Sequence, residues 1–240
     1  MPGVPALKRV GHKGADLIAP GNTLESFDAA LAAGVDMIEF DVLPERETGR
    51  LVLAHDYSAL ARRAPLTLEE GLDHLRSADF DDVELDVDLK LPGYELRVVE
   101  ALRRRELLGR ALISAQFRDG LARIRAAEPQ VALGWSVPRV RRDYTASPLT
   151  ALPALALLEA LKRALPRQAA RAISRGEVDA IMAHWRLITP RLAAAVHRAG
   201  GELYAWTVDE LPRIRALEAL GVAGVITNDP RLFGQLASAS

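Results

Sequence analysis

The run "MIEFDVL", residues 37–43, alternates apolar and acidic side chains, and "VELDVDLK", residues 83–90, repeats the pattern and ends on a lysine. Successive side chains of a strand point to opposite faces. Glu39 and Asp41 therefore share one face while Ile38, Phe40 and Val42 take the other. Glu84, Asp86, Asp88 and Lys90 likewise oppose Val83, Leu85, Val87 and Leu89. Two arrangements accommodate such strands. One is a half-exposed antiparallel sheet with a solvated charged face. The other is a closed parallel barrel, with helices over the apolar face and the charged face looking into the interior or its mouth.

The rest of the chain selects the barrel. Strands are predicted at 9–11, 37–43, 83–89, 111–114, 131–136, 180–183, 203–207 and 224–227, with helical patterns at 23–33, 94–108, 118–127, 189–199 and 210–220. This alternation implies parallel strands joined by crossover helices. Eight strands in 240 residues predict an α/β fold, a single-domain TIM (β/α)8 barrel over residues 1–240, near the ~250 residues common for that architecture. Thr23 reads as a helix N-cap and Gly34 as the glycine that follows a helix C-terminus.

Two segments exceed a minimal barrel. "ERETGRLVLAHDY", residues 45–57, predicts a turn and a short extra strand at 51–54, a small inserted hairpin-like segment after the second strand. It delivers His55 and Asp56 close to where that strand ends. Residues 139–176 read either as an extended helix packed on the sheet, or as a lid or interfacial helix giving peripheral contact with a lipid-like substrate.

Composition narrows the function classes. Lys and Arg number 31 against 32 Asp and Glu, a balance that argues against nucleic acid or a strongly anionic membrane surface as partner. Cysteine is absent, which excludes disulfides and thiolate metal sites and is compatible with a reducing cytosol. "MPGVPALKRV" has no apolar core of a signal peptide, and no apolar run reaches the ~20 residues of a membrane span. A soluble cytoplasmic protein is expected.

Pro44 follows one acidic strand and Pro92-Gly93 the other, so the carboxylates stand near strand ends. Active sites of parallel barrels are built at that C-terminal face. Buried carboxylates demand partners, and a hard divalent cation is a natural one. Glu39, Asp41 and Asp88 are candidate oxygen ligands for Mg²⁺ or Ca²⁺, and Lys90 supplies positive charge for an anionic substrate. His12 ends the first strand and His55 the inserted one. Two histidines converging on such a cluster read as an acid and base pair, because their pKa of ~6.5 suits both roles near neutrality. His74, His184 and His197 read as surface or packing residues. Only four lysines occur, Lys8, Lys13, Lys90 and Lys162; two of them stand in these charged motifs, where ammonium and guanidinium are not interchangeable.

With those residues in place the sequence resembles the glycerophosphodiester phosphodiesterase family. "GHKGA", "APGNT", "EFD" and "AHD" follow the family's His-Arg-Gly, Pro-Glu-Asn-Thr, Glu-x-Asp and His-Asp. "VDLK", "ISAQF", "YAWTVDE" and "GVITNDP" resemble its Glu-x-Lys, Ser-Ser-Phe, Trp-Thr-Val and Thr-Asp-x-Pro segments. The ordered set spans nearly the whole chain. The resemblance implies a TIM barrel that hydrolyses small glycerophosphodiesters to an alcohol and glycerol 3-phosphate with a divalent metal. It implies His12 and His55 as the catalytic pair, Glu39, Asp41 and Asp88 as metal ligands, and Lys13 and Lys90 as charges for the phosphate. Trp206, and less strongly Phe117, would wall the glycerol pocket.

Three positions depart from the pattern. Lys13 stands for arginine and loses the bidentate fork; Gly21 stands for glutamate and removes a carboxylate; Asp88 stands for glutamate and is one methylene shorter. Two other readings fit the same residues. One is lysophospholipase D or sphingomyelinase D chemistry on lipids, with 139–176 as the contact surface. The other is a noncatalytic barrel that binds phosphodiesters, supported by Lys13 and Gly21.

Overall fold

In the computed structural model the alternation at 37–43 becomes the wall of a closed barrel. The structure describes residues 6–138 and 148–237. The strands are β1 (Lys8–Gly11), β2 (Met37–Pro44), β3 (Leu51–Leu53), β4 (Glu84–Leu89), β5 (Ala111–Ala115), β6 (Ala132–Val137), β7 (Ala180–His184), β8 (Glu202–Trp206) and β9 (Gly224–Thr227). The helices are α1 (Leu24–Ala32), α2 (Tyr57–Leu60), α3 (Leu68–Leu75), α4 (Glu95–Arg103), α5 (Arg118–Ala127), α6 (Pro148–Ser174), α7 (Pro190–Arg198), α8 (Leu211–Ala219) and α9 (Gly234–Ala237). Eight strands pair in parallel in the order β1-β9-β8-β7-β6-β5-β4-β2, and β1 pairing with β2 closes the ring. This is a TIM barrel.

The barrel wall separates two apolar cores. Outward side chains such as Ile38, Phe40, Val42, Leu85 and Val87 pack under the helices. Inside lies a smaller cluster of Val10, Met37, Leu112, Ala180, Met182, Tyr204 and Ile226. Polar side chains take over toward the C-terminal ends of the strands, where Glu39, Asp41 and Asp86 are buried and Asp88 is partly covered. The interior is thus apolar toward one end and ionisable toward the other.

The ninth strand is the expected insertion. Met37 and Ile38 of β2 pair with Val10 and Gly11 of β1. Farther along, Val42 to Pro44 pair antiparallel with Leu53 to Leu51 of β3. The other edge of β2 pairs with β4 over Met37 to Val42, so β1 and β3 divide one edge between them. Glu39 and Asp41 fall in the interval. Their carbonyls accept from the amides of Gly14 at 3.1 Å and Ala54 at 3.2 Å, which come from the segments that follow β1 and β3.

The sequence expectation for 139–176 divides. Residues 139–147 lie outside the described residues. From 165 onward α6 behaves as a barrel helix, with Leu165, Ala169, Ala172 and Ile173 buried in the outer core. Among the described residues no helix is long and apolar enough to cross a membrane.

The end opposite the acidic cluster is tied by Arg110, just before β5. Its guanidinium donates to the carbonyls of Phe80 at 2.6 Å, Val83 at 2.5 Å and Leu75 at 2.5 Å, joining the end of α3 to the approach to β4. A planar fork can serve all three acceptors, whereas an ammonium is a single point. Replacing Arg110 by alanine is expected to cost about 2–3 kcal/mol, the order of a lost charged hydrogen-bond set, with Arg110→Lys intermediate. Urea unfolding measures it.

Candidate functional site

The loop after β1 is held in an uncommon shape. Lys13 has φ 51° and Asn22 φ 60°, both in the left-handed region. Such backbone persists only where the surroundings over-determine it, and it concentrates at functional sites. Here the surroundings are specific. The Lys13 amide donates to Glu39 Oε2 at 2.8 Å. Asn22 Nδ2 donates to Asp41 Oδ2 at 2.9 Å, and the Asp41 amide donates back to Asn22 Oδ1 at 3.0 Å. Ser26, in the capping box of α1 with Thr23, donates its hydroxyl to the Lys13 carbonyl at 2.7 Å. One helix start therefore anchors the turn that positions both carboxylates.

Glu39, Asp41 and Asp88 each present a ligand atom, all within 4.8 Å of one another. Asp88 Oδ1 is buried without a hydrogen-bond partner. A set made only of carboxylate oxygens, with a buried acceptor unused, fits a hard cation such as Mg²⁺ or Ca²⁺. Lys90 Nζ contacts Asp41 Oδ1 and donates to Asp88 Oδ2. Tyr94 accepts from the Lys90 amide at 3.0 Å and donates to the Val42 carbonyl at 2.5 Å, fixing the end of β4 against β2.

The carboxylates do not share one protonation behaviour. Burial, then the neighbouring Asp41, pushes Glu39 well above the usual range. Burial opposes the charge of Asp41 as well, but the Lys90 ammonium together with His55 and His12 outweighs it and holds that carboxyl below its usual value. Burial raises Asp88, with Lys90 opposing the rise. Asp86, buried beneath them, is pushed up to about 8 by burial and then by Asp88. The ammonium of Lys90 is desolvated, yet Asp41 and Asp88 hold its pKa well above the ordinary value.

The two histidines approach from opposite ends of the divided edge. His12 is largely covered, with Nε2 3.8 Å from Glu39 Oε2 and Nδ1 2.5 Å from Asn228 Oδ1. Burial, and after it the charge of Lys13, lowers its pKa to about 4, which leaves a neutral ring at neutral pH. His55 is 54% exposed and open to the mouth, with Nδ1 3.2 Å from Asp56 Oδ2. Asp56 also caps α2, accepting from the Ala59 amide at 2.9 Å. His55 and His12 both bear on the charge of Asp41.

A cavity of about 440 Å³ opens beside His55, lined by Lys13, Asp16, Gly21, Asn22, Asp56 and Arg63 among others. Two departures from the family pattern meet in its wall. Lys13 Nζ is 3.0 Å from Asp16 Oδ2, and Asp16 Oδ1 accepts from the Gly21 amide at 2.8 Å. A Cβ on residue 21 would lie 2.5 Å from Asp16 Oδ1, so Gly21 and the Asp16 carboxylate depend on each other. Lys13 carries its charge already matched by Asp16.

The remaining expected residues stand elsewhere on the rim. Trp206 ends β8, donates Nε1–H to the Met182 carbonyl at 2.8 Å and meets the His184 ring edge-on at 5.1 Å. Phe117 is partly buried just after β5, at the N-cap position of α5. His184 packs as expected, but at the mouth beside Trp206, whereas His74 pairs with Asp28 at 2.7 Å on the outside. Sequence reasoning passed over Asn22, Asp86 and Asn228. Asp86 is in view through its inward parity, and the two asparagines lie inside "APGNT" and "GVITNDP", motifs that carry the resemblance without assigning these two side chains a role.

An α/β barrel with a carboxylate cluster and two histidines at its C-terminal mouth has ionisable groups where enzymes of this fold build their active sites. A family model described as "Glycerophosphoryl diester phosphodiesterase family" matches residues 12–89 and 67–232. The chain belongs to that family. A "Probable glycerophosphodiester phosphodiesterase 1" of Mycobacterium tuberculosis is 28% identical over 248 residues, covering 92% of this chain and 89% of the relative. A "Glycerophosphodiester phosphodiesterase" of Caldanaerobacter subterraneus is 24% identical over 254 residues, covering 92% and 93%. Among solved structures, a putative glycerophosphoryl diester phosphodiesterase from Silicibacter pomeroyi superposes with TM-score 0.75 at 21% identity, covering 98% of this chain and 95% of that one. A phosphodiesterase of Oleispira antarctica, solved in complex with the product sn-glycerol-3-phosphate, gives TM-score 0.71 at 19% identity over 97% and 98%. These structural likenesses support the fold.

Asp86 offers a direct check of the buried charge. Its pKa in the folded protein is above the unfolded value, so folding favours the neutral carboxyl, and stability is lost as pH rises from ~4 toward about 8. Asparagine does not titrate. Thermal melts in chelator should show Asp86→Asn gaining on the wild type by a few degrees between pH 4 and pH 8, whereas a pH-independent difference would contradict the burial effect.

Proposed function

We propose that this protein hydrolyses small glycerophosphodiesters to an alcohol and sn-glycerol 3-phosphate, with Glu39, Asp41 and Asp88 holding Mg²⁺ or Ca²⁺ and His12 and His55 moving the protons. The observation that carries this reading is the divided edge of β2. It brings two histidines from separate chain segments onto three carboxylates whose ligand atoms lie within 4.8 Å. The Oleispira antarctica neighbour, bound to sn-glycerol-3-phosphate, supports the substrate class.

Each residue has a physical task. Glu39 and Asp41 are oriented by the Lys13 amide and by Asn22, so their oxygens are fixed before a cation arrives. Lys90 keeps Asp41 ionised and leaves net negative charge in the cluster when Asp88 is also ionised. A divalent ion, when bound there, supplies charge neutralisation for the phosphodiester oxygens. His12, buried and neutral, and His55, exposed at the mouth, are placed differently enough to serve as acid and base. Lys90, held by Asp41 and Asp88, and Lys13, ion-paired with Asp16, are the cations assigned to the phosphate, while Trp206 and Phe117 are assigned as apolar surface for the glycerol carbons. The substrate's own glycerol hydroxyl or water serves as nucleophile.

The test is release of glycerol 3-phosphate from glycerophosphocholine with Mg²⁺, Ca²⁺ or chelator, and lysophosphatidylcholine assayed in parallel. Release is expected with metal and should vanish in chelator. His12→Ala and His55→Ala should each lower kcat about 10²–10⁴-fold, the range for a lost acid or base, with melting temperatures within a few degrees of the wild type. Undiminished release in chelator, or an active histidine variant, would overturn the assignment. Turnover of the lysophospholipid alone would move the substrate class to lipids.

A further inference from the structure

The cavity beside His55 carries positive charge that the scheme above does not use. Arg62 and Arg63, which follow α2, stand in its wall with Lys13, Asp16 and Asp56. The two carboxylates of that wall are already engaged. Asp16 Oδ2 is 3.0 Å from Lys13 Nζ, and Asp16 Oδ1 accepts from the Gly21 amide at 2.8 Å. Asp56 accepts from the Ser58 hydroxyl at 2.5 Å and the Ala59 amide at 2.9 Å, and faces His55 Nδ1 at 3.2 Å.

The two arginines have no such match. Arg63 donates to the Gly21 carbonyl at 2.9 Å. A carbonyl is a neutral partner, so the charge stays and most donors of the guanidinium remain unused. Glu25, on the exposed start of α1, feels that charge, but no ion pair joins the two among the described residues. The guanidinium of Arg62 makes no hydrogen bond or ion pair among the described residues. Gly21 stands where the family pattern has glutamate, so no carboxylate arises at the residue that Arg63 holds.

The cavity adjoins the carboxylate cluster. Asn22 lines it and also holds Asp41, and His55 opens onto it. Both belong to segments that follow β1 and β3, at the seam where β1 closes on β2. Trp206 ends β8 and Phe117 follows β5, each two strands round the ring from that seam. A diester with its phosphorus at the carboxylates and its glycerol toward these aromatic rings extends its other alcohol past His55 into the cavity. The volume there, about 440 Å³, is that of a small-ligand pocket.

We propose that Arg62 and Arg63 form the subsite for the departing alcohol and select alcohols that carry an anionic group of their own, a phosphate or a carboxylate. This rests on the phosphodiesterase reading and names its preferred substrates. A planar guanidinium meets either anion through paired N–H donors. A trimethylammonium group in the same place meets two like charges, with Asp16 and Asp56 both committed elsewhere.

Three glycerophosphodiesters, assayed on the full chain with Mg²⁺, test the charge of the alcohol. Glycerophosphocholine has a cationic leaving alcohol and glycerophosphoglycerol a neutral one. In bis(glycerophospho)glycerol the leaving alcohol carries a phosphodiester anion. At low salt kcat/KM per scissile bond is expected to rise about tenfold or more from the first to the last, the worth of one charge-assisted contact. The preference should shrink as salt is raised, because exposed charges are screened. Arg62→Gln and Arg63→Gln should each lower the ratio of anionic to cationic substrate, and the double variant should bring it to within about twofold of unity. Arg63→Lys keeps the charge and should retain more of the ratio than Arg63→Gln. Because the readout is a ratio, a general loss of folded protein cancels. Equal kcat/KM on all three diesters, a preference indifferent to salt, or a ratio unaltered in the double variant would overturn the subsite while metal-dependent turnover left the reaction class standing. Turnover of none of the three would overturn both.

Discussion

Lys90 is the one cation touching Asp41 and Asp88 among the described residues, and the acidic half of the barrel depends on it. Four carboxylates, Glu39, Asp41, Asp86 and Asp88, are gathered around the inner ends of β2 and β4 because strand parity points them all inward. Charges removed from water demand partners. One ammonium offsets one of them, burial keeps Asp86 and Glu39 in favour of their neutral forms, and the remainder is a deficit of positive charge. That deficit suits a hard divalent cation, since the three clustered donors are carboxylate oxygens. The same ammonium is held by two acidic residues, and the proposed reaction assigns proton transfer to the histidines instead.

Much of this was legible before any coordinates. The alternation in "MIEFDVL" and "VELDVDLK" fixes which side chains look inward, because the period of a strand is two and does not depend on context. The inserted strand was legible too, since a short apolar run after a turn and before His55 has few other places to go than the free stretch of the β2 edge. Less accessible was α3. Gly71 sits in its middle and lowers helical propensity, and a Cβ there would lie 2.7 Å from Leu53 Cδ1, so the helix packs closely over β3 at the residue that has no side chain. Pairings between loops were least visible. Asn22 with Asp41, and Asn228 with His12, join residues 19 and 216 positions apart, and no periodicity encodes such contacts.

The family relation and the departures from its pattern have different weights. Lys13 and Gly21 look in sequence like the loss of an arginine and a glutamate from a phosphate site. In three dimensions they are one local rearrangement, in which Asp16 occupies the space a side chain at 21 would need and binds the lysine that replaces the arginine. The barrel, the two histidines and the Glu-x-Asp pair are untouched by it. The change is therefore confined to the wall of the cavity beside His55.

The division of the β2 edge has an evolutionary consequence. Ring closure needs only the pairing of β1 with β2, and β3 adds nothing to it. His12 is consequently carried by the barrel itself, while His55 is carried by an appended hairpin that could lengthen, shorten or be exchanged without opening the ring. One histidine is inherited with the architecture. The other travels with a module that also forms much of the cavity wall, so selection can reshape the mouth of the site while leaving the scaffold unaltered.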